Sequence, residues 1–131
     1  MRTYHYTEGE FSAPHYDRSL VEHENTGGRG GKIIQYTAYS VLFYLDEGCE
    51  GGHTTFFVDD PSIKKTKSGK PLIEGVELEV AGHVTPRRGD VLIFPHGHGR
   101  KGLHPDPLHE GSMVVKGIKT IIRSDLVYKP K

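Results

Sequence analysis

The 131-residue sequence predicts an all-β protein, a sandwich or barrel with few or no helices. Short runs rich in Val, Ile, Tyr, Phe and Thr recur along the chain, bounded by Gly, Pro, Asp or Ser. No long segment holds the apolar period of about 3.6 residues that an amphipathic helix needs. Glycine is abundant, at 17 residues, as closely spaced turns require. Many short strands separated by turns close into a sandwich or barrel.

In chain order the predicted strands are 2–6, 36–45, 54–58, 76–80, 90–94, 113–115 and 118–128. The longest carry Tyr36, Val41 and Phe43, and Ile121, Ile122 and Val127. Two segments read as loops. The first, 18–32, is polar and contains Gly27-Gly28-Arg29-Gly30-Gly31, flexible by composition. The second, 59–71, carries Asp59-Asp60-Pro61 and a lysine run from Lys64 to Lys70. That run reads as a solvated loop rather than a nucleic-acid contact.

The length fits one domain spanning 1–131. Lys and Arg total 17 and Asp and Glu total 17, so the formal net charge is zero. Neither nucleic acid nor a membrane surface is expected as a partner. No apolar run approaches the roughly 20 residues of a membrane helix. The N-terminus lacks the apolar core of a signal peptide. Cys49 is the single cysteine and cannot form an internal disulfide, which favours a reducing, intracellular setting.

The chemistry starts at His15-Tyr16-Asp17. In extended backbone, residues i and i+2 project to the same side, with Tyr16 opposite. Pro14 biases its neighbour toward extended geometry. A distant second histidine would complete two imidazoles and one carboxylate, the facial set that leaves iron(II) three open positions. Of nine histidines, His109 is the expected distal ligand, because it opens a strand-like run. His104 competes but sits in the irregular stretch Gly102-Leu103-His104-Pro105. His96 and His98, flanked by Gly and Pro, are expected near the site mouth, where they would take only adventitious metal.

Four segments, in order, carry a resemblance to a known family. The first is 6–17, from Tyr6 to Asp17. The second is 40–46, Ser40-Val41-Leu42-Phe43-Tyr44-Leu45-Asp46, closed by Gly51-Gly52-His53-Thr54-Thr55-Phe56. The third is 86–94, beginning Pro86-Arg87-Arg88-Gly89-Asp90. The fourth runs from Leu108-His109-Glu110-Gly111 through Gly117-Ile118-Lys119 to Tyr128. The chain resembles the prolyl 4-hydroxylase-like branch of the Fe(II)/2-oxoglutarate dioxygenases. One position departs: His53 stands where many relatives carry Glu.

The resemblance sharpens the fold to a double-stranded β-helix, a cupin-like jelly-roll barrel with the metal near its mouth. Relatives carry helices before the first segment. The domain is therefore either minimal or lacking N-terminal support helices. The resemblance implies iron(II) held by His15, Asp17 and His109, with 2-oxoglutarate and O2 as co-substrates, and leaves ascorbate open. Lys119, ten residues past His109, is where the family keeps the cation for the distal carboxylate of 2-oxoglutarate. An unpaired interior cation there argues for an anionic ligand. Arg123 shares the strand face of Lys119 and is the reserve anchor. Tyr44 resembles the tyrosine that also bonds that carboxylate, Tyr6 one near the metal-proximal carboxylate, and Thr54 a pocket-lining residue. The implied reaction is hydroxylation of a C–H bond, with prolyl residues in a peptide as the leading substrate and small molecules as the other class. Two other readings stand beside it: a cupin-like metalloenzyme that does not use 2-oxoglutarate, and a catalytically silent β-barrel binding module. The 18–32 loop leaves the barrel beside the first two ligands and carries Glu22, Glu24, Arg29 and Lys32. It is expected to close over substrate.

Overall fold

The computed structural model describes residues 1–24, 31–96 and 107–131. Among the described residues there are thirteen strands and no helix. They are β1 (Arg2–Tyr6), β2 (Ser12–His15), β3 (Val21–His23), β4 (Ile33–Tyr44), β5 (Glu50–Gly51), β6 (Thr54–Phe57) and β7 (Lys64–Lys65). There follow β8 (Pro71–Leu72), β9 (Val80–Val84), β10 (Val91–Pro95), β11 (His109–Gly111), β12 (Val114–Lys116) and β13 (Lys119–Tyr128). One antiparallel sheet has the order β1-β13-β4-β10, with β3 also paired to β4. A second has the order β2-β11-β6-β9. Two short ladders, β12-β5 and β7-β8, complete the jelly roll.

The register of the first sheet decides which side chains face inward. Leu42 of β4 stands opposite Arg123 of β13 and Leu92 of β10, while Tyr44 stands opposite Ile121. Alternation then puts Lys119, Ile121, Arg123 and Asp125 on one face of β13, beside Ser40, Leu42 and Tyr44 of β4. Leu42, Tyr44, Phe94 and Ile121 form the buried core, with Tyr4, Tyr6, Phe56, Val84 and Leu92 packed against it. Contacts across the interior tie the sheets together. Phe94 meets the Phe56 ring edge-on at 5.2 Å, and the Tyr44 hydroxyl lies 2.8 Å from Thr54 Oγ1.

Gly51 and Gly52 permit the close backbone approach that the sequence suggested, with Gly51 inside β5 rather than in a turn. Both have positive φ, +72° and +68°. A Cβ on Gly51 would lie 2.4 Å from the Met113 carbonyl oxygen, so any side chain there would push β5 off β12.

Three expectations need correction. The 76–80 run is not a strand over most of its length; β9 begins at Val80. Val76 lies in a turn after Gly75 (φ +72°), and its amide bonds Ile73 O at 3.0 Å. A strand needs a partner, and Val80, Gly82, His83 and Val84 take the edge of β6. The 18–32 segment is not all loop, because Val21–His23 pairs with β4. Residues 25–30, which hold most of its glycines, lie outside the described residues, and with them the expected closure over substrate. The 59–71 segment likewise contains the small β7-β8 hairpin.

Candidate metal and co-substrate site

Strand pairing brings the two distant histidines together. His15 ends β2 and stands directly opposite His109, which opens β11. Their ring centroids are 4.4 Å apart. Asp17 falls two residues past the end of β2, so strand alternation alone does not aim it. It nevertheless turns in, nearly fully buried, with Oδ1 3.3 Å from His15 Nε2 and Oδ2 3.7 Å from His109 Nε2. One ligand atom from each residue lies within 4.8 Å of the other two.

Hydrogen bonds on the far side of each ring fix which nitrogen faces this centre. His15 Nδ1 lies 2.8 Å from Ala13 O, and His109 Nδ1 lies 3.0 Å from Pro107 O. A carbonyl can only accept, so each Nδ1 carries hydrogen and each ring turns its Nε2 toward Asp17. This is the outer support that metal-ligating histidines ordinarily have.

The charges are balanced closely. Burial would push the Asp17 carboxyl up; the His15 contact, His109, the Ser40 hydroxyl and Arg123 outweigh it and hold it well below the usual carboxylate range. Burial pulls His109 down to about 4, so its ring is neutral at pH 7. His15 is raised, chiefly by its contact with Asp17. Asp17 Oδ1 is buried without a hydrogen bond, and Arg123 Nη1 meets it as an ion pair at 2.9 Å. Two imidazole nitrogens and a carboxylate oxygen with an unsatisfied lone pair fit iron(II) by donor type.

Beside this centre lies a cavity of about 100 Å³. Tyr6, Thr54, Lys119 and Arg123 line it together with His15, Asp17 and His109. Lys119 is 2% exposed, and burial pulls its ammonium down to about 8. No carboxylate pairs with it among the described residues. Its Nζ sits 5.5 Å from the Tyr6 ring centroid. Gly111 borders the ammonium: a Cβ built there would stand in ordinary contact with Nζ, at 3.8 Å. Arg123 is placed differently. Its guanidinium lies 2.9 Å from Asp17 and 3.5 Å from Asp125. Tyr44 is not a lining residue; its hydroxyl meets Thr54 Oγ1, which is.

The family model for the 2OG-Fe(II) oxygenase superfamily matches residues 1–124. The chain belongs to this superfamily. Iron(II), 2-oxoglutarate and O2 are the reagents that membership implies. "Probable prolyl 4-hydroxylase 10" of Arabidopsis thaliana is 35% identical over 123 residues, covering 91% of this chain and 38% of the relative. "Prolyl 4-hydroxylase 5" of the same plant is 34% identical with the same coverage. The chain thus spans well under half the length of the curated relatives it matches.

One histidine is not where the sequence suggested. His96 is not at a mouth but 1% exposed, with both ring nitrogens in hydrogen bonds to Ser40 and Thr37. Neither is open to an adventitious metal. His98 and His104 lie outside the described residues. Ser40 is fully buried against Asp17, a role missed in the sequence. Its signal was parity: a hydroxyl in step with Leu42 and Tyr44 on an apolar strand face.

Proposed function

We propose that this chain is an Fe(II)- and 2-oxoglutarate-dependent hydroxylase acting on a peptidyl, prolyl-like C–H bond. The observation that carries the reading is a buried ammonium, Lys119, that no carboxylate meets among the described residues, in the same cavity as the His15-Asp17-His109 cluster. A buried cation is costly unless an anion meets it, and a dicarboxylate supplies one. His15 Nε2, the Asp17 carboxylate and His109 Nε2 would hold the iron. The bound metal with 2-oxoglutarate and O2 supplies the oxidation, yielding succinate, CO2 and one hydroxyl on substrate.

The protein's own part is binding, orientation and exclusion of water. Lys119 anchors the far carboxylate by a charge-assisted hydrogen bond. Thr54 adds a hydroxyl beside it, held in place by Tyr44. The Tyr6 face supports the Lys119 ammonium through its π-system. Leu42, Phe94 and Ile121 give the cavity an apolar wall that strengthens these polar contacts. Arg123, committed to Asp17 and Asp125, orients the acidic ligand rather than the co-substrate. A cupin-like enzyme without 2-oxoglutarate has no use for an interior lysine here.

The test is coupled turnover. Protein with iron(II), 2-oxoglutarate, O2 and proline-rich peptides should yield succinate and a peptide heavier by one oxygen, in equal amounts. Succinate formation that no peptide stimulates would remove the peptidyl substrate from the reading. No succinate under any condition would remove the oxygenase activity itself.

A further inference from the structure

Behind Asp17 runs a chain of buried hydrogen bonds whose proton directions can be assigned one by one. Ser40 Oγ lies 2.6 Å from Asp17 Oδ2 and 2.9 Å from His96 Nδ1. An ionised carboxylate only accepts, so the single Ser40 proton goes to Asp17. Ser40 Oγ must then accept from His96, and Nδ1 carries hydrogen. On the other side of the ring, His96 Nε2 lies 2.9 Å from Thr37 Oγ1. With the hydrogen on Nδ1, Nε2 of the neutral ring can only accept, so Thr37 donates its proton there while its oxygen accepts the Leu20 amide N–H at 2.9 Å. The chain runs Leu20 N–H, Thr37, His96, Ser40, Asp17, each member donating to the next. Thr37, His96, Ser40 and Asp17 are all at most 5% exposed, so water does not compete.

We propose that His96 is a positioning residue for the metal centre. Held as the Nδ1–H tautomer by Thr37, it keeps the Ser40 proton on Asp17 Oδ2. That bond fixes the rotation of the carboxylate and turns Oδ1, which accepts no hydrogen bond and carries the Arg123 ion pair at 2.9 Å, toward His15 Nε2 and the metal position. His96 touches neither metal nor co-substrate. It acts from β10's end, through Ser40 of β4, on a ligand that lies beyond any strand. This solves a specific problem of the fold: Asp17 has no ladder of its own to aim it. Outer groups of this kind ordinarily change metal affinity by about 10- to 100-fold.

The proposal rests on the reading that His15, Asp17 and His109 bind metal, and the test separates the two. The readouts are Mn(II) affinity by calorimetry and the visible d–d spectrum of the Co(II)-loaded protein. Three replacements sort the mechanism. His96→Asn restores an N–H near the Nδ1 position; His96→Gln puts its amide near Nε2 instead; His96→Phe fills the space without any donor. His96→Asn should bind Mn(II) within about threefold of wild type and keep the Co(II) spectrum. His96→Gln and His96→Phe should bind about tenfold or more weakly, with an altered spectrum, even where thermal unfolding is unchanged. If the Phe protein does not fold, the Asn and Gln pair still decides. Equal affinity and equal spectra in Asn and Gln would overturn the proposal, as would rescue by Gln and not Asn. If wild type itself takes up neither metal, the failure belongs to the triad reading.

Discussion

Lys119→Met should stabilise the metal-free protein at neutral pH while destroying its grip on 2-oxoglutarate. The magnitude follows from the ammonium's position. Burial pulls it from 10.5 to about 8. At about 1.36 kcal/mol per pKa unit, keeping Lys119 charged costs the fold up to about 3 kcal/mol. The side chain is 2% exposed, so solvent screening removes little of this. The unfolded chain holds this proton more tightly than the folded one. Between pH 8 and 10.5 the unfolded state therefore binds more protons, and stability contributed through Lys119 rises as pH rises. Below pH 8 the full cost is present; above 10.5 it is gone. Denaturant unfolding of dialysed wild type and Lys119→Met, at several pH values from 7 to 10.5, measures it. Other titrating groups cancel in the difference. The Met protein should be more stable by about 2–3 kcal/mol at pH 7, and the gap should close by pH 10.5. A gap that stays constant, or that opens with rising pH, would refute a buried, charged and unpaired lysine.

Other outcomes follow from the same geometry. His15→Ala, Asp17→Ala and His109→Ala should each lose iron(II) on dialysis, while His104→Ala retains it; metal analysis decides. Arg123→Gln should change 2-oxoglutarate affinity of Mn(II)-loaded protein by less than about threefold, because its guanidinium serves carboxylates of the protein, whereas Lys119→Ala should cost about 1.5–3 kcal/mol, roughly ten- to a hundred-fold, by calorimetry. The reverse ranking would make Arg123 the anchor. Gly51→Ala meets both a positive φ and the Met113 carbonyl, and should lower stability by more than about 1 kcal/mol in chemical denaturation.

Much of this was legible in the sequence, for identifiable reasons. The 2–6 strand and the long 36–45 and 118–128 runs are β-branched and aromatic, and the structure pairs all three side by side. The shared parity of Lys119 and Arg123 survives because β13 is regular where they sit. What parity could not say is which carboxylates each would meet. That depends on Asp17 arriving from another sheet. The 76–80 run misled because alternation reports a potential strand, and only the neighbouring edge decides whether it pairs. His96 misled for the opposite reason. Its Gly- and Pro-rich flanks look like surface, but the ring is pulled inward by Ser40 and Thr37, 56 and 59 residues away in sequence. Contacts at that separation leave no local trace.

The central claim is that one cavity holds iron(II) through His15, Asp17 and His109 and 2-oxoglutarate through Lys119. Anaerobic addition of 2-oxoglutarate to the iron(II)-loaded protein tests it most directly. A visible charge-transfer absorption should appear and saturate in wild type. His109→Ala should show none, and Lys119→Ala should need roughly ten- to hundred-fold more 2-oxoglutarate. Absence of the band in iron-loaded wild type, or its persistence in His109→Ala, would rule out this shared iron and 2-oxoglutarate site.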